Sequence, residues 1–110
     1  MRIMEIKEAL QICESLNNPK YQKPFQKMME CAIVYARIRV DWYFAEDEQV
    51  ELDIERTAAH NAFIQTCDQL SLVMKENGDN TGWRFAIGSD RKSIGDFACL
   101  IHAIIGIKAR

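Results

Sequence analysis

Residues 93–105 read SIGDFACLIHAII, and their apolar side chains recur every three or four positions. This spacing matches the 3.6-residue turn of an α-helix and predicts an amphipathic helix near the carboxyl end. Its stripe consists of Ile94, Phe97, Ala98, Ile101, Ile104 and Ile105. Cys99, Leu100 and Ala103 add apolar side chains on the other faces. A helix that is apolar around most of its circumference is typical of a buried position, so we predict that it lies at the centre of a helical bundle.

Two further helices are predicted in the first half of the chain. The first has an apolar stripe that starts at Ile3 and continues to about Leu16, where Asn17-Asn18-Pro19 ends it. The second is expected to begin at Pro24, because proline suits the first turn of a helix, and to end near Phe44 or Ala45. Its stripe consists of Phe25, Met28, Met29, Ala32, Tyr35, Ala36 and Tyr43.

A long third helix is predicted to follow an acidic segment. Acidic side chains from Glu46 to Glu51 suit the positive end of a helix dipole, and Asp47 is the expected N-cap. We expect this helix to run to Lys75 or Glu76 and to stop at Asn77-Gly78, because glycine readily takes the left-handed conformation that closes a helix.

The remaining segment predicts a short helical turn before the last helix. The turn covers Trp83 to Ile87 and is closed by Gly88. Ser89-Asp90 then offers a cap for the last helix, and Gly106 is expected to fray its end. Together these patterns predict an all-α fold: an antiparallel helical bundle of four main helices plus a short helical turn, formed by residues 1–110 as a single domain.

The third helix carries apolar residues on two sides. One side consists of Leu52, Ala59, Phe63, Cys67, Leu70 and Met74. The other consists of Val50, Ile54, Ile64 and Leu72. Since each apolar face has to be covered, either neighbouring helices or a partner chain must cover the second side.

The net charge and the cysteine pattern limit the partners and the cellular setting that we expect for the protein. Fourteen basic and sixteen acidic residues give a net charge of −2, which makes nucleic acid an unlikely partner. The sequence shows no apolar run of the length that a signal peptide or a membrane span needs, so we expect a cytoplasmic protein that does not bind membranes. Cys13, Cys31, Cys67 and Cys99 form no C-x-x-C pair and are interpreted as buried free thiols.

Five polar residues of the second and third predicted helices need an explanation: Arg39, Arg56, His60, Asn61 and Asp68. A charge left unpaired in a core costs several kcal/mol, so the two arginines must be paired or partly exposed. One interpretation pairs them with a carboxylate such as Asp41, Asp53 or Asp68 and gives them a structural role. The other brings all five together as a pocket for an anion or small polar ligand, because arginine binds carboxylate and phosphate through a forked geometry.

Motifs for catalysis or metal binding are missing from the sequence. Glu55 and His60 are five residues apart rather than the three that di-iron bundles use, and there is no H-E-x-x-H. Nucleophile motifs and phosphate-binding loops are also absent. We therefore expect no metal and no cofactor, and an enzyme is the less favoured class.

Three segments resemble a small family of uncharacterised bacterial proteins, often met in Gram-positive bacteria and their mobile elements. The segments are residues 39–44 (RVDWYF), 56–64 (RTAAHNAFI) and 95–99 (GDFAC). The resemblance implies a helical fold and a bacterial cytosolic setting. It transfers no catalytic residue, because the family has no assigned activity.

The leading hypothesis for function is a non-enzymatic helical protein-interaction module that self-associates or binds a protein partner near the second and third helices. The second apolar side of the third helix motivates it. Trp42-Tyr43 next to Arg37 and Arg39 fits such a contact, because Trp, Tyr and Arg are enriched at interfaces. The alternative is a small-ligand or anion-binding protein, a class that includes enzymes, with a polar pocket around Arg56 and His60.

Overall fold

The structure is a computed structural model that describes residues 4–47 and 49–108. In chain order it contains α1 (Ile6–Leu16), a short 3-10 helix (Pro19–Tyr21), α2 (Gln22–Phe44), α3 (Gln49–Glu76), α4 (Gly82–Ala86) and α5 (Arg91–Lys108). No strand occurs in the described part of the chain. The predicted all-α class is confirmed, with four long helices and one short one, whereas the antiparallel direction and the single domain stay predictions.

Most predicted helix ends are confirmed. α1 ends at Leu16, α2 at Phe44 and α3 at Glu76. Gly78 and Gly88 both have a positive φ, of 77° and 82°, as expected for glycines that close a helical segment. At the start of α5, the Ser93 backbone N–H donates to Asp90 Oδ2 at 3.0 Å, which is the predicted N-cap bond.

Two predicted boundaries are wrong. α2 begins at Gln22 rather than Pro24, because Asn18 accepts a hydrogen bond from the Lys20 backbone at 3.0 Å and starts a 3-10 turn that continues directly into α2. The described part of α3 begins at Gln49, and the Asp47 cap stays a prediction because Glu48 is not among the described residues. α5 continues through Gly106 to Lys108, although a helical glycine costs about 1 kcal/mol relative to alanine. Ile3 and Glu48 lie outside the described residues.

The core lies where α5 meets α1, α2 and α3. Five members of its predicted stripe are buried: Ile94, Phe97, Ala98, Ile101 and Ile104. The Phe63 ring of α3 lies 6.3 Å from the Tyr35 ring of α2 and 6.1 Å from the Phe97 ring of α5, measured between centroids. These rings join the three helices, and α5 contacts all the other long helices, as predicted from its sequence.

The two apolar sides of α3 have different surroundings. Ala59, Phe63, Cys67, Leu70 and Met74 are buried against the other helices. On the other side, Val50, Ile54 and Leu72 are exposed by 75%, 71% and 50%, whereas Ile64 is half-buried and packs against the core. Within the described residues, therefore, the second side of α3 is left largely uncovered.

The four cysteines are free thiols. Cys13 and Cys67 are buried as predicted, and burial raises the pKa of the Cys67 thiol to about 12. Cys31 and Cys99 are only half-buried. The interpretation as buried thiols therefore holds for two of the four.

Tyr21 joins the 3-10 helix to the loop that follows α3. Its side chain is buried, and its hydroxyl donates a hydrogen bond to the Asp79 carboxylate. Burial and the nearby negative charge raise the pKa of Tyr21 to about 12. Because the folded-state pKa is raised, the neutral phenol stabilises the fold below its ordinary pKa of about 10, and this contribution is lost as the pH rises through about 12.

Tyr21→Phe is expected to remove one phenol from the absorbance change at alkaline pH. In a titration at about 295 nm that is restricted to folded protein, the missing step should lie near pH 12. The matched control is Tyr43→Phe, which removes an exposed phenol and should leave the step near pH 12 in place. Loss of a step near pH 10 in Tyr21→Phe would contradict the buried bond to Asp79.

Candidate functional site

Three arginines from three helices act electrostatically on the buried Tyr35. They are Arg39 of α2, Arg56 of α3 and Arg91 of α5, and together with Tyr35 we call them the arginine cluster. Burial raises the pKa of the Tyr35 hydroxyl, whereas the positive charges of Arg39, Arg91 and Arg56 and a hydrogen bond from Arg91 act against that rise. The cluster therefore lies where α2, α3 and α5 meet.

Arg39 connects α2 to α5. Its Nη1 donates to Asp96 Oδ1 at 3.0 Å and lies 3.6 Å from Cys99 Sγ. Lys92 Nζ donates to the other Asp96 oxygen at 2.8 Å. Although burial alone would raise the pKa of Asp96, the bonds from Lys92 and Arg39 lower it. The prediction that Arg39 pairs with a carboxylate is confirmed, but the partner is Asp96 rather than Asp41, Asp53 or Asp68.

Arg56 is paired within α3 and stacked on α2. Its Nε and Nη2 donate to Asp53 Oδ1 at 3.1 and 2.6 Å, so the predicted pairing with Asp53 is confirmed. Its guanidinium carbon lies 3.9 Å above the centre of the Trp42 ring, within the range of a cation–π contact. Arg91 reaches the same region from α5, because its Nη2 donates to Thr57 Oγ1 at 2.9 Å and lies 3.9 Å from Asp53.

His60 lies at the edge of the cluster. Its ring meets the Tyr35 ring edge-on, with 5.5 Å between centroids. Its Nδ1 is 3.3 Å from Oδ1 of the exposed Asn61, while its buried Nε2 has no hydrogen-bond partner among the described residues. Asn61 therefore contacts the cluster only through His60.

Asp68 is separate from the arginine cluster, so the five polar residues do not converge on one pocket. Asp68 accepts a hydrogen bond from Arg84 Nε at 2.7 Å, and Arg84 Nη1 donates to the Gly88 carbonyl at 2.7 Å. This network ties α3 to α4 and to the loop before α5. Asp68 was grouped with Asn61 because the two residues share one helical face. Helical spacing within α3 does not reveal that Asp68 pairs with Arg84 of α4.

The arginine cluster stabilises the packing of three helices rather than offering free ligands. Each guanidinium already donates to a carboxylate or a hydroxyl. Five surface depressions of the described chain, with volumes from 280 to 530 Å³, have none of the five sequence-predicted residues in their walls. Within residues 4–47 and 49–108, no group of three or more His, Cys, Asp and Glu side chains could hold a metal ion.

Gly95 makes room for the Arg39 guanidinium. A Cβ atom placed on Gly95 would lie 2.9 Å from Arg39 Nη1, which is too close for an unstrained contact. Asp96 and Cys99 hold that guanidinium, so its retreat would break their bonds. Gly95 therefore leaves room for the α2–α5 pair, and the sequence signal is a glycine next to an aspartate inside an otherwise apolar helix.

Gly95→Ala is expected to destabilise the protein when Arg39 is present and to stabilise it when Arg39 is replaced. In an ordinary helix interior, Gly→Ala gains about 1 kcal/mol, whereas here the added methyl displaces the guanidinium. Urea unfolding of Gly95→Ala, Arg39→Ala and the double variant measures this reversal of sign. The same effect of Gly95→Ala in both backgrounds would show that the two residues do not interact.

A second candidate site is an exposed apolar surface where α2 ends and α3 begins. Tyr43, Phe44, Val50 and Ile54, which we call the junction surface, are exposed by 71%, 76%, 75% and 71%. The Tyr43 and Phe44 rings contact each other edge-on, with 5.2 Å between centroids. Gln49 Nε2 donates to the Trp42 carbonyl at 3.2 Å and so holds the start of α3 against the end of α2.

Acidic residues flank the junction surface along the chain. Between Asp41 and Glu55 the sequence has seven acidic residues and no basic one. The exposed members among the described residues are Asp41, Glu46, Asp47, Glu51 and Glu55. Acidic residues next to an apolar surface favour a partner that carries basic side chains.

Comparisons with protein families, with curated proteins and with solved structures give no significant match to this chain. Among the described helices, none has both the length and the apolar character that crossing a membrane requires. The interpretation of the site therefore depends on the geometry of the chain itself.

Proposed function

We propose that this protein is a non-enzymatic helical module that binds another protein through the junction surface. The observation that carries the proposal is the exposure of Tyr43, Phe44, Val50 and Ile54, each above 70%, at one end of the helix pair. Large apolar side chains grouped on a surface and rimmed by polar residues mark protein-binding sites. Aromatic residues are also enriched at the centres of such interfaces.

A different protein fits the junction surface better than a second copy of this chain. In a symmetric dimer the same surface faces itself, so the acidic residues that flank it would be brought together from both copies. Like charges placed face to face across an interface cost several kcal/mol. A partner with basic side chains around an apolar centre has no such cost.

The arginine cluster supports the proposed function because it holds the junction surface in place before a partner binds. Arg56 is stacked on Trp42, the residue directly before Tyr43, and paired with Asp53, the residue directly before Ile54. A preformed surface loses less conformational entropy when it binds a partner. An anion pocket at Arg56 and His60 finds less support, because the Arg56 guanidinium is already paired.

We further propose a cytoplasmic setting in a bacterial cell. All four cysteines are free, which suits a reducing compartment. The segments on which the family resemblance is based supply Arg39, Arg56 and Asp96, so they coincide with the residues that join α2, α3 and α5.

Site-specific photocrosslinking in cells of the source organism tests the proposed function. A benzophenone amino acid at Phe44 should give one discrete adduct, and the same amino acid at Phe85 should not. Phe85 is the matched control because it is 85% exposed but lies on α4, away from the junction surface. The Phe44 adduct should disappear when Val50→Ser and Ile54→Ser are added.

Two outcomes would overturn the proposed function. Equal adduct patterns from Phe44 and Phe85 would show that exposure alone determines crosslinking. An adduct between two copies of this chain would show that the junction surface mediates self-association and does not bind a different protein.

A further inference from the structure

A surface depression of about 480 Å³ lies at the other end of the α2–α3 pair from the junction surface. The hydrogen bond from Tyr21 to Asp79 brings the start of α2 next to the segment that follows α3, and the depression is found there. Met74 and Trp83 complete the buried part of its wall. Its volume is within the range of sites that bind small molecules. We call it the Trp83 depression.

Trp83 brings an unused hydrogen-bond donor to this depression. The residue is 8% exposed, and its indole Nε1 is buried without a hydrogen-bond partner among the described residues. A buried indole N–H usually has an acceptor, and a buried polar group without one is costly. The described chain has one other such atom, His60 Nε2, but His60 lines none of the five depressions. An unpartnered buried donor therefore coincides with space for a ligand at Trp83.

The exposed part of the wall also has more free donors than free acceptors. Asn18 and Asn80 line the depression, and the side-chain oxygen of each accepts a hydrogen bond from the backbone N–H two residues later, at 3.0 and 2.7 Å. Their amide NH₂ groups are left as donors. Together with the indole N–H of Trp83, these groups favour a ligand that accepts hydrogen bonds.

Charge in the wall favours an uncharged ligand. Asp79 is the charged residue that lines the depression. Its carboxylate repels an anion. A cation gains little from it, because Asp79 already accepts the bond from Tyr21 and its Oδ2 lies 3.8 Å from Lys20 Nζ.

We propose that the Trp83 depression binds a small uncharged molecule that has a flat apolar body and a carbonyl-type oxygen, and that this oxygen accepts the hydrogen bond of the Trp83 indole N–H. Tyr21, Met74 and Trp83 supply two aromatic rings and a thioether, on which a flat apolar body packs well. The inference is independent of the proposed function, since the depression and the junction surface share no residue.

Three probes of similar size and shape test the proposal. Acetophenone has a carbonyl oxygen, cumene has a methyl group in its place, and 1-phenylethylamine has an ammonium group there. The chain contains two tryptophans, so ¹H–¹⁵N spectra show two indole signals, and Trp42→Phe assigns them. We expect acetophenone to shift the Trp83 indole proton downfield and to leave the Trp42 signal in place. It should bind about fivefold more tightly than either other probe, as one additional hydrogen bond predicts.

Variants of the protein locate the site. Trp83→Phe keeps an aromatic ring but removes the N–H, so acetophenone and cumene should bind with equal affinity. Ser15→Phe fills the depression from the exposed side of α1 and should weaken acetophenone binding by about tenfold or more. The matched control is Gln11→Phe, which changes an exposed residue one turn earlier on α1 and should leave binding unchanged. If Trp83→Phe fails to fold, the indole shift in the unsubstituted protein decides whether the N–H donates.

Each adverse result overturns a named part of the proposal. Equal affinities of acetophenone and cumene for the unsubstituted protein would rule out the hydrogen bond. A Trp83 indole signal that stays in place while acetophenone binds would show that the N–H does not meet the ligand. Tighter binding of 1-phenylethylamine would contradict the uncharged class, and no binding of any probe at millimolar concentration would overturn the site itself.

Discussion

Phe63→Ala is expected to lower the free energy of unfolding by about 3–5 kcal/mol, the range found when a buried aromatic side chain is truncated. Phe63 is fully buried and lies between Tyr35 of α2 and Phe97 of α5. Its removal leaves a cavity at the point where the three longest helices meet. Chemical denaturation followed by circular dichroism measures the change.

Phe85→Ala is the control for this loss. Phe85 is 85% exposed on α4, so its truncation should change the free energy of unfolding by no more than about 0.5 kcal/mol. Similar effects of the two substitutions would mean that Phe63 is not enclosed by α2 and α5.

Leu70→Ala is expected to cost about 2–5 kcal/mol, whereas Leu72→Ala on the same helix should cost less than about 1 kcal/mol. Leu70 is fully buried, and Leu72 is 50% exposed on the second apolar side of α3. Because both substitutions remove the same atoms from the same helix, the difference between them measures burial alone. Urea denaturation of the purified monomer measures both values.

The Leu70 and Leu72 pair also tests which side of α3 faces the core. If Leu72→Ala costs as much as Leu70→Ala, the second apolar side is covered in the free protein. An effect larger for Leu72 than for Leu70 would contradict the orientation of α3 altogether.

The sequence was most informative where a local signal determined the structure. The ends of α1 and α3 follow from Asn17-Asn18-Pro19 and from Gly78, whose backbone conformation favours glycine. The cap at Asp90 depends on a bond to a residue three positions away. The predicted start of α2 at Pro24 was wrong. The 3-10 turn at Pro19–Tyr21 continues directly into the helix, so no break precedes Pro24.

The composition of the polar sites was harder to predict. Arg56 and Asp53 are three residues apart, so helical spacing was enough to suggest that pair. Arg39 and Asp96 are separated by 57 residues and meet only because α2 packs on α5. In the sequence Tyr35 is an ordinary member of an apolar stripe, and nothing in its neighbourhood shows that the charges of three arginines act on its hydroxyl.

The two apolar sides of α3 link stability to the proposed function. One side packs in the core, and the arginine cluster holds it against α2 and α5. The other side, with the junction surface, stays exposed although its burial would be favourable by roughly 25 cal/mol per Å². Exposed apolar area of this kind is the source of binding energy for a partner.

The proposed function requires Val50 and Ile54 to be exposed in the free protein, and methyl NMR with a soluble gadolinium chelate measures this exposure directly. Ile94 and Ile101 are internal references for buried methyl groups, and Ile107, exposed by 59%, is the reference for an open one. We expect the Val50 and Ile54 signals to broaden at least as strongly as those of Ile107, while Ile94 and Ile101 stay sharp. Protection of Val50 and Ile54 to the level of Ile94 in a proven monomer would contradict the proposed function.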